Sequence, residues 1–216
     1  LLDGYGYVAT GAFPDTVAFG GSTLKAETYD PEGAKALLEE AGWVDADGDG
    51  YREKDGRKLT VRWLSYPSRQ ELPLLAESAQ ATLKDIGIQV DLNVTADHNS
   101  IAKDRTAWDI YVGANVNCGL GDPTNFFSTH CLDASTKNRG AFHSDRLEEL
   151  AVELNSTFDK DTRNKIAIEM QQILLDDNAF IFCSFLRMSM ISKASVTGLT
   201  AHTSDFYELT ADLDIN

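Results

Sequence analysis

Apolar positions change their spacing several times along the chain, and each change predicts an element. Between Pro31 and Gly42 they fall on Ala34, Leu37, Leu38 and Ala41, one face of a helix. Asp30 can cap its start, Pro31 takes the first helical position, and Gly42 ends it. Leu59 to Tyr66, LTVRWLSY, alternates as a strand does. Leu72, Leu75, Ala76, Ala79, Leu83 and Ile86 return to helical spacing over 69–86, and Ile88 to Val94 alternates again after Gly87. Strand, helix and strand with short joints predict a right-handed βαβ unit. A short helix over 97–105 then leads to the apolar run Ile110-Tyr111-Val112, a third strand for the same sheet.

Beyond it, 143–157 and 159–177 predict a helical pair capped by Ser144 and Asp159, the second helix burying Ile166, Met170, Ile173 and Leu174. Ala179 to Phe185 reads as a buried strand that Met188 to Ile191 continues or pairs with. Residues 194–216 hold short extended pieces and predict a tail that wraps back. Residues 1–28 scatter Tyr5, Tyr7 and Phe13 among turn-formers without a period, which predicts a connector packed on something beyond the chain. The fold class expected is α/β, with its main body over 29–193.

The stretch from Trp108 to Cys131, WDIYVGANVNCGLGDPTNFFSTHC, carries the candidate chemistry. A buried strand here empties into a loop of Asn, Gly and Pro, and open α/β sheets hold their ligands at such strand ends. Asn115, Asn117, Gly119 and Asp122 are therefore candidate ligand contacts, and Asp122-Pro123 predicts the start of a turn or short helix. Tyr66, closing its strand, joins them. Cys118 and Cys131 bracket the loop. They either form a disulfide worth roughly 3 kcal/mol at that spacing, which would favour an exported protein, or remain two reduced, half-buried thiols. Cys183, inside an apolar run, is expected to be a free core residue.

Composition removes several classes of function. The 216 residues, 43% hydrophobic and 25% charged, suit one large domain or two modest ones. A net charge of −15 with scattered Lys and Arg argues against a nucleic-acid partner. No apolar run approaches the ~20 residues that span a bilayer. No leader opens the chain at Leu1, which predicts a removed N-terminus or a fragment.

Asp45, Asp47, Asp49 and Gly50 match the first half of a calcium loop, with Glu53 at the ninth position but Gly56 where the bidentate Glu belongs. Turn chemistry alone also makes such a stretch a hairpin. His130 and His143 are candidate metal ligands by residue type, imidazole being a ligand for several transition metals, although neither has a ligand residue at helical spacing; His98 and His202 are as isolated. Trp63, Trp108, Met188 and Met190 are expected in cores. No nucleophile elbow, phosphate loop, HExxH or dinucleotide fingerprint occurs, so no catalytic residue is nominated.

Four ordered segments resemble one family. YDPEGAKALLEEAGWVDADGDGYREKDGRKL, ELPLLAESAQATLKDIGIQVDL, GDPTNFF and TRNKIAIEMQQILLDDNAFIFCSF are similar to segments of the large solute-binding proteins of ATP-binding-cassette importers, the dipeptide, oligopeptide and nickel class. The resemblance runs from about residue 26 to the end. It implies the C-terminal lobe of a periplasmic-binding-protein-like (type II) fold, a mixed sheet flanked by helices. It also implies a monomeric, extracytoplasmic protein, periplasmic or lipid-anchored through sequence not in this chain. Such a protein would capture a nickel chelate or short peptide between two lobes for a membrane permease, or sense peptides on the same fold. In the peptide binders of this family an Asp four residues before the loop Pro grips the ligand's α-amino group; Gly119 stands there in this sequence. Arg69 lies near where the dipeptide binders place an Arg for the ligand carboxylate, and the resemblance makes it a candidate contact for the carboxylate of a peptide or of a small metal chelator.

Overall fold

The computed structural model describes residues 2–119, 121–201 and 209–215. In chain order the elements are β1 (Gly6–Val8), α1 (Pro31–Glu40), β2 (Glu53–Lys54), β3 (Arg57–Lys58), β4 (Thr60–Ser65), α2 (Glu71–Lys84) and β5 (Gln89–Val94). There follow α3 (His98–Ile101), β6 (Ile110–Tyr111), α4 (Thr124–His130), α5 (Asp145–Ser156), α6 (Lys160–Asp176), β7 (Ser184–Leu186), β8 (Val196–Thr197) and β9 (Asp214–Ile215). Packing divides the chain into two compact units, Glu27–Asn115 and Leu2–Ala26 with the chain from Val116 onward. This differs from a division into 1–28, 29–193 and 194–216.

The first unit is built on the βαβ arrangement. Strands β5, β4 and β6 lie in that order, all parallel, with Ser65 opposite Val94 and Leu64 opposite Tyr111. Helix α2 packs on β5 and β4, burying Leu72 and Ala76, while Leu64 and Val90 are buried from the strands. The two crossovers run in opposite lateral directions, so right-handed connections put α2 and the α3 segment on opposite faces of the sheet. Sheet connections that diverge in this way open a crevice at the carboxyl edge.

Arg52 pins the acidic hairpin to this body. Its Nε donates to the Ile86 carbonyl at 2.9 Å, one terminal nitrogen to the Trp43 carbonyl at 2.8 Å, and the other to Glu39 at 3.1 Å. Gly87 has to be glycine for two reasons: its φ is +84°, and a Cβ would lie 2.7 Å from the Arg52 stem. Asp30 caps α1 through Gly33 N–H as expected, but α1 buries no residue and Leu37 is 67% exposed.

The second unit is mostly helical. Leu147, Leu150 and Leu154 of α5 meet Ile166, Met170 and Leu174 of α6, and Phe126 and Phe127 of α4 join the same core. Ser144 and Asp159 cap α5 and α6. The N-terminal stretch belongs here. Phe13 is wholly buried, edge-on to Phe19, Phe126 and Phe127. Gln171, also wholly buried, accepts from Ala12 N–H at 3.0 Å and donates to the Phe19 carbonyl at 2.8 Å. Gln172 makes the same pair of bonds to the backbone of Lys25.

Three local expectations are corrected. The strand predicted over 179–185 is reduced to β7, because its only strand partner is the three-residue β1; Ile181 is 79% exposed. Met188 to Ile191 form no strand, and Met188 and Ile191 lie in solvent rather than in a core. Cys183 is exposed, its thiol directed to the Ile181 carbonyl. The tail makes a small antiparallel ribbon, β8 with β9; His202 lies outside the described residues.

Candidate functional site

Three parallel strands end along one edge of the first unit, and an aromatic cluster gathers there. Tyr66 immediately follows β4, Tyr111 ends β6, and His98 opens the short α3 after β5. The imidazole of His98 lies over the Tyr66 ring with centroids 3.9 Å apart and planes 22° apart. Its Nδ1 is 2.9 Å from the Tyr111 hydroxyl, and the two rings are nearly parallel at 8°. Trp108 abuts Tyr111 from β6's entry at a centroid distance of 6.0 Å. The Tyr66 hydroxyl accepts from Ala114 N–H at 3.0 Å, so the buried tyrosine fixes the first turn of the loop leaving β6.

Arg69, three residues past Tyr66, is exposed, and its guanidinium makes no hydrogen bond or ion pair among the described residues. Asn115 is exposed where the loop leaves this unit. The arrangement offers aromatic faces, hydroxyl and imidazole groups and an uncommitted cation. It suits holding a solute with planar or carboxylate parts. Tyr66 stands just past the end of β4, Arg69 three residues further on and Asn115 in the loop that leaves β6. His98, Tyr111 and the Ala114 amide were not singled out. The signal for them was positional: an aromatic or imidazole side chain at or just past the end of each of three strands.

The rest of the loop belongs to the second unit and is used differently. Asn117 donates to the Ala12 carbonyl at 2.8 Å, and its side-chain oxygen is buried without a hydrogen bond among the described residues. Gly119 is half-buried and has no side chain to offer. Asp122 accepts from Thr124 N–H at 2.8 Å and from the Arg163 guanidinium. Burial pushes the Asp122 carboxyl up, but the Thr124 hydroxyl and amide and Arg163 together hold it below its usual range. Arg163 also bonds the Leu154 and Thr157 carbonyls, so Asp122 ties the loop to α5 and α6. Asn117 and Asp122 are thus engaged inside their own unit.

The cysteines are free thiols rather than the bracket expected across the loop. Cys131 ends α4 within the hydrophobic core, where burial pushes its thiol far up; Cys118 is half-buried and raised for the same reason.

The histidines proposed as metal ligands have other surroundings. His130 is half-buried beside Phe126, and desolvation together with Lys137 and Arg139 lowers its pKa, keeping the ring neutral over a wider range of pH. His143 is exposed and faces Asp133 at 2.7 Å and Asp145 at 3.3 Å.

Among the described residues, Asp45, Asp47 and Asp49 form the only group of three side chains spaced for a metal ion, all exposed. Asp45 accepts from Gly48 and Gly50 N–H, Asp49 from Tyr51 N–H, and Lys58 Nζ pairs with Asp49. The loop's own amides and an ammonium thus use these oxygens. Two further hollows, one lined by Lys35, Glu39, Arg52 and Asp85 and one by Tyr51, Glu77, Gln80 and Gln89, are open and polar.

Residues 1–138 match the family model for bacterial extracellular solute-binding proteins, family 5. The chain is 26% identical over 183 residues to nickel-binding protein NikA of Staphylococcus aureus, covering 84% of this chain and 35% of that protein. It is 28% identical over 196 residues to the nickel-binding periplasmic protein of Escherichia coli, covering 89% and 37%. Oligopeptide-binding protein OppA of Lactococcus lactis is 27% identical over 164 residues, covering 72% and 27%.

Among solved structures, a nickel ABC transporter protein from Bacillus halodurans superposes with a TM-score of 0.76 at 27% identity over 100% of this chain and 45% of that one. The oligopeptide-binding protein AppA of Bacillus subtilis, in complex with a nonapeptide, shares the fold with a TM-score of 0.76 at 21% identity, over 95% and 42%. The fold is therefore the type II periplasmic-binding-protein-like one expected. The chain spans little more than a third of the length of the nickel-binding relatives it matches.

Proposed function

Because the chain belongs to the bacterial extracellular solute-binding proteins of family 5, we propose that it is part of the extracytoplasmic solute-binding component of an ABC importer. In this reading the aromatic carboxyl edge of the parallel sheet faces a solute that the protein carries and does not transform. The solute proposed first is a nickel chelate, closed between this edge and a second lobe and then delivered to a membrane permease. Periplasmic or lipid-anchored residence and a monomeric state go with that role. No helix among the described residues is long and apolar enough to cross a membrane.

One observation carries the preference for a chelate. The only carboxylate in residues 113–123 is Asp122, and Arg163 and Thr124 occupy it. Gly119 stands where the resemblance places a peptide-gripping Asp. A free α-amino group thus finds no anion on this loop, whereas Arg69 suits the carboxylates of a small chelator. The second reading, a peptide carrier or peptide-sensing receptor, is favoured by the oligopeptide-binding relatives. Calorimetric titration of the full-length protein with nickel plus L-histidine, beside a dipeptide panel, decides between them. Heat from the nickel chelate is expected; heat from the peptides alone overturns the preference.

A further inference from the structure

His98 stands out as a half-buried imidazole held on two sides and with no assigned part in the proposed function. Its Nε2 lies 3.2 Å from the Asn99 side-chain amide. Its Nδ1 hydrogen-bonds the Tyr111 hydroxyl, 2.9 Å away. The same ring lies flat on Tyr66 at 3.9 Å. Tyr66 in turn holds the Ala114 amide through its hydroxyl at 3.0 Å. One side chain from the β5 exit thus fixes the tyrosine after β4 and the tyrosine ending β6, and through Tyr66 the backbone of the loop.

We propose that His98 is a positioning residue for solute capture: stacked on Tyr66 and hydrogen-bonded to Tyr111, it locks Tyr66, Tyr111 and the Ala114 amide into the geometry that meets the solute. This rests on the reading that the solute sits at the carboxyl edge of the sheet. The orientation comes from outside the contact layer, as the partners of ligand-binding side chains commonly supply it. Asparagine can replace it in part, because its amide reaches the place of Nδ1 and still hydrogen-bonds Tyr111. Leucine keeps bulk against Tyr66 but cannot hydrogen-bond.

The test uses the full-length protein and its His98→Leu and His98→Asn variants, with two readouts. The first is hydrogen exchange of the segment containing Ala114, without any solute. His98→Leu is expected to speed exchange there by about tenfold while the melting temperature stays within a degree or so, and His98→Asn to recover most of the protection. The second is calorimetry with the nickel–L-histidine complex, where His98→Leu is expected to weaken binding by about tenfold and His98→Asn to restore most of it.

Unchanged exchange in His98→Leu, or equal acceleration in both variants, overturns the positioning role. Altered exchange with unchanged affinity overturns the link to capture. If the wild-type protein takes up neither the nickel complex nor the dipeptides, the proposed function fails, and the exchange readout still decides whether His98 orders the loop.

Discussion

Replacing Gln171 by leucine should release the N-terminal stretch from the second unit. Gln171 is wholly buried on α6, and its two polar atoms serve Ala12 N–H and the Phe19 carbonyl. Ala12 is itself 0% exposed and Phe19 6%, so water cannot replace the lost partners. A buried backbone group left without a hydrogen bond costs about 1–3 kcal/mol, and two groups are affected. Leucine fills nearly the same volume and returns about 1 kcal/mol through its greater hydrophobicity.

The net expectation for Gln171→Leu is a loss of about 1–5 kcal/mol in the local stability of this unit. Hydrogen exchange on the full-length protein measures it. Protection of the Ala12 and Gly20 region should fall by about 5- to 4,000-fold, since each 1.4 kcal/mol is tenfold. Gln172→Leu provides the comparison, because its bonds to Lys25 are exposed to solvent and should cost about 1 kcal/mol at most. Full protection in Gln171→Leu, or equal losses in the two variants, refutes the reasoning.

Other perturbations have equally definite outcomes. Arg163→Met removes bonds to Asp122, Thr124 and the Leu154 and Thr157 carbonyls and should cost about 1–3 kcal/mol after allowing for the exposure of Asp122; an unchanged thermal transition contradicts it. Arg52→Met leaves two half-buried carbonyls and the exposed Glu39 without this donor, so limited proteolysis should nick residues 42–58 sooner, with about 1–2 kcal/mol of local stability lost. The Asp133 hydrogen bond, with the Asp133 and Asp145 charges, raises the His143 pKa above 6.5. Its contribution is therefore full at pH below 6.5 and fades as pH rises through the folded-state value. A pH series of thermal melts should show this in the wild type and lose it in His143→Asn; identical profiles would exclude it.

Sequence patterning located the helices and the parallel strands well, because each of them carries its own signal. Asp30, Ser144 and Asp159 all cap as their side chains allow. The partners of short strands were not legible. Ala179 to Phe185 has the composition of a buried strand, yet strand formation depends on a neighbour, and only three residues of β1 are there to pair. Residues 1–28 failed for the opposite reason. Their order comes from two glutamines about 150 positions away, and no local period records such contacts.

The candidate site divides along the same physical line. The position of Tyr66 was legible because a strand end is a local feature, whereas Arg69 was nominated from the family resemblance. Asp122 and Asn117 looked equally available, being polar residues in a Gly-rich loop, until Arg163 and Ala12 claimed them across the second unit. Polar type alone does not separate a group that greets a solute from one that holds a loop in place. What separates them is whether a buried partner already satisfies the side chain, and burial here is long-range. This also orders the histidines. His130 and His143 looked best in sequence for lying near the central loop, yet one sits beside cations and the other is paired with carboxylates. His98, four residues past a strand, had the least to recommend it and is the one set among the aromatic rings at the sheet edge.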